Sequence, residues 1–143
     1  MILTKPFPYR VTENEKERAS NSYLMSVIAI IAGMPLPIIN VLATLFFYLS
    51  NRKGTYFVRW HCMQALLSQL SVLCINSVGF WWTISVISQE KELTNLYFAY
   101  IISAILFNLT EFIATIYTAV KTRKGEHISW WFYGDLTEAI VQK

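Results

Sequence analysis

Charge, cysteine, glycine and proline are all scarce in this sequence of 143 residues, and each shortage excludes something. Charged residues make up 15% of the chain against 55% hydrophobic residues, and mean hydropathy is +0.40. A soluble helical bundle needs a polar stripe on every helix, which this composition cannot supply. The two cysteines, Cys62 and Cys74, are twelve residues apart on one predicted helix. A rise of about 18 Å separates them, too far for a disulfide. Both read as small packing residues. His61 beside Cys62 is not metal-ligand spacing, and His127 belongs to another segment. HExxH, GxSxG, CxxC and P-loop patterns are missing. The chain therefore reads as non-catalytic, with no cofactor and no metal. A net charge of +3 gives no reason to expect a nucleic-acid partner.

Targeting signals are missing as well. Residues 1–22 are polar, unlike the start of a secretory signal. Ile2 stands where myristoylation needs glycine, and no cysteine lies near Lys143 for prenylation.

What is abundant is long apolar sequence. Three blocks, Tyr23 to Leu49, Phe57 to Ile87 and Leu93 to Val120, each exceed the ~18–20 residues that mark a membrane-spanning helix. The reading is an all-α integral membrane protein of helical hairpins. Gly33-Met34-Pro35-Leu36-Pro37 interrupts the first block, and such a run breaks a helix. Each flank reaches only ~18 Å, short of a ~30 Å hydrocarbon core.

The positive-inside rule selects between one kinked crossing and a hairpin. A single crossing splits the twelve basic residues five against seven. A turn at Pro35 and Pro37 puts eleven on one side, with only Lys91 opposite. The hairpin is the cleaner solution and predicts about four membrane segments, the first pair short. Residues 1–22 form a cytoplasmic polar segment, 23–122 a membrane domain and 123–143 a cytoplasmic interfacial tail. Both termini are placed on the cytoplasmic side.

Thr12 and Glu15 form a T-x-x-E capping box for a short, solvated helix over residues 13–20. In the tail, Trp130, Trp131 and Tyr133 are candidate interfacial anchors. Leu136 and Ile140, four apart, extend an apolar stripe there.

The polar residues inside the apolar blocks are the candidate site. At 100° per residue, His61, Gln64, Ser68 and Ser71 share one face of the second block, with Gln69 and Asn76 on its flank. Arg59 sits at the edge, where it can snorkel to lipid phosphates. In the third block Asn108, Glu111, Thr115, Thr118 and Thr122 fall on one face. Antiparallel packing puts Glu111 level with Gln64 to Ser68, so the two stripes are expected to face each other or a partner jointly. A buried carboxylate costs ~3 kcal/mol or more, so Glu111 should be neutral or paired with Gln64, His61 or a partner residue. Intramembrane polar or partner contact is thus assigned to Arg59, His61, Gln64, Ser68, Asn108, Glu111 and Thr115. Hydrogen-bonding glue within the bundle is the plainer alternative. The glycosylation pattern at Asn108-Leu109-Thr110 lies within a span, out of reach of modification.

Two stretches carry a family resemblance: FVRWHCMQAL (Phe57, Val58, Arg59, His61, Gln64, Ala65) and IYTAVKTRKGE (Ala119, Lys121, Arg123, Lys124, Gly125, Glu126). Together they resemble small bacterial membrane proteins related to the twenty-kilodalton Tic subunit of chloroplast import and to the magnetosome MamF-like proteins. The resemblance runs over roughly residues 23–126 and implies about four membrane segments in a bacterial inner (plasma) membrane. Where the family often has Tyr-Pro after Gly-Glu, this chain has Ile128-Ser129-Trp130. By analogy it implies a non-catalytic subunit of a membrane complex, associated with protein translocation or insertion. Its partners would be other integral membrane proteins, such as a translocon, a second copy, and lipid headgroups at Arg59 and the aromatic tail. The rivals are a small ion or solute channel lined by Glu111, Gln64 and His61, and a membrane-organising scaffold.

Overall fold

The computed structural model describes residues 2–32, 38–88 and 92–141, with side chains omitted for 29–32. The elements in order are β1 (Ile2–Lys5), α1 (Glu13–Ala32), α2 (Ile38–Asn51), α3 (Tyr56–Ile87), α4 (Asn95–Arg123), β2 (His127–Trp130) and α5 (Trp131–Ile140).

The capping box forms. Thr12 N–H donates to Glu15 Oε2 at 2.7 Å, and Glu15 N–H reaches back to Thr12 Oγ1 at 3.4 Å. It opens a much longer helix than expected, because α1 runs without interruption from the polar segment into the first apolar block. Nor is its first half a solvated lead-in. Glu15, Ala19, Ser20 and Ser22 are buried, and the Ser20 hydroxyl donates to Ala119 C=O at 2.8 Å. The boundary drawn after residue 22 therefore cuts a continuous helix.

Arg18 Nε donates to Asn51 Oδ1 at 2.9 Å, so the first turns of α1 and the last of α2 lie side by side. The chain reverses between α1 and α2, as the hairpin reading requires. Residues 33–37, with Pro35 and Pro37, lie outside the described residues, as does Lys91. Two helices, α3 and α4, are long and apolar enough to cross a membrane. Helix α2 spans only ~21 Å at 1.5 Å per residue, short of a ~30 Å core. Among the described residues, two helices therefore have spanning length, and α2 is a shorter apolar helix beside them.

Only 11% of the most apolar window of α3 is buried, and the same holds for α4. A soluble core helix would hide most of its length. Instead Trp81, Ile84, Ile87, Leu96, Phe98, Ile102 and Ile105 lie open on the distal half of the α3–α4 pair. An apolar surface of that extent matches acyl chains rather than water.

The tail adds structure that apolar length did not predict. Helix α4 ends in a Schellman turn: Glu126 N–H donates to Lys121 C=O at 3.1 Å and Gly125 N–H to Thr122 C=O at 2.9 Å. Gly125 takes φ +87°, which a side chain would resist. The chain then folds back into the bundle as β2, antiparallel to β1, with Ile2 opposite Trp130 and Lys5 opposite His127. Every residue of β2 is buried. Helix α5 returns along α3. Tyr133 packs beside the Tyr23–Ala65–Trp130 cluster, and Val141 joins Val41, Met63 and Leu66. Asp135 and Glu138 both lie 4.0 Å from Lys5 of β1. Periodicity gave no warning of this, since His-Ile-Ser-Trp is too short to show a pattern and β1 lies 122 residues before its partner in the register Lys5 to His127.

Candidate functional site

The site is built where the first three turns of α3 meet β2. A strand buried in an apolar bundle must have its backbone polar groups satisfied. Strand β1 pairs with one edge of β2, and alternate residues of an antiparallel strand present their N–H and C=O to the other edge. Gln64 meets that second edge. Its Nε2 donates to Ile128 C=O at 3.1 Å, and its Oε1 accepts from Trp130 N–H at 3.0 Å. One carboxamide therefore stands in for a third strand.

These two backbone contacts also fix the direction of a hydrogen-bond chain. Because Gln64 Nε2 must be the donor, Tyr23 Oη accepts from it at 2.8 Å. The Tyr23 proton is then free for His61 Nδ1, at 2.9 Å. That leaves His61 protonated on Nε2, which faces His127 Nδ1 at 3.1 Å. His127 accepts there and carries its own proton on Nε2. All five links follow from the valences of the groups. Phe57, Trp60 and Phe7 ring the two imidazoles edge-on. His61 and Gln64 have no solvent exposure.

His127, outside the spans, has its pKa pushed down to about 4, first by burial and then by the neighbouring Lys5 charge. The neutral form that the chain requires is the form its surroundings favour. At the same end of the molecule, Glu15 is opposed by burial, yet hydrogen bonds from Thr55, Thr12 and Tyr9 hold its carboxyl down at about 2.

The two polar stripes do not zip together along their length. The ribbon comes between their upper parts: Gln64 of α3 binds the β2 backbone, while Thr118 of α4 accepts from Trp130 Nε1 at 2.7 Å. Direct meeting occurs lower down. Asn76 and Asn108 exchange two amide hydrogen bonds at 2.9 and 2.7 Å. Ser68 lies beside the Glu111 carboxyl. Gln64 and His61 are engaged elsewhere, so neither is the partner expected for Glu111. Glu111 Oε1 and Thr115 Oγ1, both buried, have no hydrogen-bond partner among the described residues.

Of the expected anchors, Trp130 is buried, Tyr133 is half-buried, and only Trp131 faces outward, at 69% exposure. Arg59 is half-buried at the start of α3. Cys62 is buried as expected, but Cys74 is exposed. Among the described residues no cluster of three or more His, Cys, Asp or Glu could hold a metal. Sequence reasoning missed Tyr23, the hub between Gln64 and His61, because a tyrosine opening an apolar block resembles an interfacial anchor. It also missed His127, which only the return of the tail brings beside His61.

The model of the magnetosome magnetite crystal formation protein family (MamF/MmsF) matches residues 18–136, spanning the Gln64 clasp on β2, both long helices and most of α5. The chain belongs to this family. No curated protein and no solved structure gives a significant match. The family match bears out the magnetosome side of the resemblance and does not extend to the chloroplast import subunit.

Proposed function

We propose that this family member is a non-catalytic, membrane-embedded structural subunit acting in magnetosome formation. The observation that carries the reading is the Gln64 clasp. The family-signature residues His61 and Gln64 are fully enclosed, and their hydrogen bonds hold the chain's own tail in place. Residues occupied in this way position a surface rather than transform a substrate. That surface is the end of the bundle where α1 begins, α2 and α4 end, and the ribbon sits. Ten basic residues, Lys5, Arg10, Lys16, Arg18, Arg52, Lys53, Arg59, Lys121, Arg123 and Lys124, belong to this end. By the positive-inside rule it faces the cytoplasm, where it would meet other membrane proteins or a second copy.

Translocation draws no support from the family match. A channel lined by His61, Gln64 and Glu111 is disfavoured by the zero exposure of the first two.

Mild-detergent purification of the full chain from its native membrane, followed by mass spectrometry, tests the proposal. Stoichiometric magnetosome-membrane proteins or a defined self-assembly is the expected result. A monomer without partners that passes protons or ions in liposomes would overturn it. In a Cys62→Ala, Cys74→Ala background, Arg52→Cys should label from the cytoplasmic side and Glu92→Cys from the other.

A further inference from the structure

The cross-section of the molecule changes sharply along the membrane normal. At the depth where Ser20 meets Ala119 and Gln64 meets Trp130, the bundle contains α1, α3, α4 and the ribbon, with α2 and α5 packed against α3. From Ser20, α1 continues only ~18 Å to Ala32. The same distance along α4 from Ala119 leads to about Asn108, which pairs with Asn76. Beyond that pair, α3 runs a further ~17 Å to Ile87, and α4 extends ~20 Å to Asn95. Among the described residues nothing else accompanies them there.

Among the described residues, the contacts in this distal part run between the two helices: Thr83 with Tyr97 at 3.0 Å, Tyr100 Oη to Ile75 C=O at 2.7 Å, and Trp82 against Tyr97. Outward-facing side chains on both helices are open, as Trp81 at 65% and Leu96 at 69% show. Among the described residues, two helices thus make up the distal half, and five helices with the β1–β2 ribbon make up the other.

Helix α5 adds to the wide half in a particular way. It packs its small residues inward: Gly134 and Thr137 are buried, and a side chain at 134 would collide with Ser129. Its bulky residues point out, with Phe132 at 64% exposure, and Leu136 and Ile140 also exposed. Tyr133 lies beside Ser71, about 12 Å further along α3 than Met63, which the C-terminal end of α5 touches through Val141. The outer stripe of α5 therefore lies on the ribbon side, between the levels of Met63 and Ser71 on α3. An apolar helix face set among lipids on one side only displaces area in that leaflet alone.

We infer that this protein is a membrane-curving wedge: its wide half expands the cytoplasmic leaflet and favours bilayers whose outer, larger surface is cytoplasmic. The inference rests on the orientation proposed above and needs no partner protein. Its lipid preference is for shape rather than headgroup, because the stripe of Phe132, Leu136 and Ile140 is apolar, while the exposed Asp135 and Glu138 lie off that stripe beside Lys5. Phe132, Leu136 and Ile140 add to the wedge, and the Gln64 clasp keeps their helix inserted.

The test uses full-length protein in giant vesicles from which thin tubules are drawn, with orientation read independently by side-specific labelling. Molecules whose ribbon end faces the outside of the tubule should be enriched there severalfold over the parent vesicle. Molecules inserted the other way should be depleted. A Phe132→Ser, Leu136→Ser variant, checked for unchanged helicity, should lose much of the enrichment. Equal density on tubule and vesicle for both orientations overturns the wedge. Opposite-signed preferences with the ribbon end found outside the cell would keep the wedge and overturn the orientation instead.

Discussion

His61 and His127 meet ring to ring, Nε2 to Nδ1, at 3.1 Å across 66 residues of sequence. The contact joins the family-signature end of α3 to the strand that follows α4. It also gives the molecule a polarity of protons running from the β2 backbone through Gln64, Tyr23 and His61 to His127. Disturbing either end should be felt at the other.

Replacing Gln64 with alanine should leave Ile128 C=O, Trp130 N–H and the Tyr23 hydroxyl short of a partner. Each buried unsatisfied group costs roughly 1–3 kcal/mol, and relaxation recovers part, so a loss of about 2–5 kcal/mol is expected. Chemical unfolding in detergent micelles measures it. Gln64→Glu should lose a similar amount, because a carboxylate cannot donate to Ile128.

Acid should loosen the ribbon. His127 has a folded pKa of about 4, below its ordinary value near 6.5. Between those values the unfolded chain binds a proton that the folded one does not, so stability falls as pH drops through this window. Above it the contribution is complete. Melting temperature measured against pH should show this slope, and His127→Phe should flatten it.

Glu15 works in a lower window. Its folded pKa of about 2 lies below the ordinary carboxyl value near 4.3. The stability it supplies is present above the ordinary value and disappears as pH falls towards 2. Glu15→Ala should remove that acid dependence and cost about 1–2 kcal/mol through loss of the cap.

The two thiols should report opposite environments. Cys62 is buried and Cys74 exposed on α3. In proteoliposomes, a membrane-permeant maleimide should modify Cys74, while a water-soluble one should fail. Cys62 should react with neither until the protein unfolds. Fast aqueous labelling of Cys74 would contradict its lipid-facing placement.

Asn76 and Asn108 should show coupled energetics. Changing either to leucine strands the other's amide among apolar neighbours, and intramembrane hydrogen bonds of this kind are worth about 0.6–2 kcal/mol. The double variant should be less destabilised than the sum of the singles. Strict additivity would mean that the amide exchange at 2.9 and 2.7 Å contributes nothing.

Much of the architecture was legible from order along the chain. Apolar length marked α3 and α4, Thr12 and Glu15 marked the start of α1, and charge placement called for a chain reversal after it. These are local or one-dimensional signals, carried by hydrophobicity, capping chemistry and the sign of charge. The site was half legible: a polar stripe at His61, Gln64 and Ser68 is written in the helical period, and so is the one at Glu111, Thr115 and Thr118.

What those stripes face was decided only in three dimensions. The sequence by itself determined that α3 and α4 are membrane-length helices with buried polar groups needing partners. Tertiary structure decided that Gln64 and Thr118 reach for β2 rather than each other, that Tyr23 links Gln64 to His61, and that the tail folds back to pair with β1. The physical reason is that a four-residue strand has too little periodicity to announce itself. Its pairing with β1 closes nearly the whole length of the chain, and only the demand of its buried backbone for hydrogen bonds explains where the carboxamide of Gln64 points.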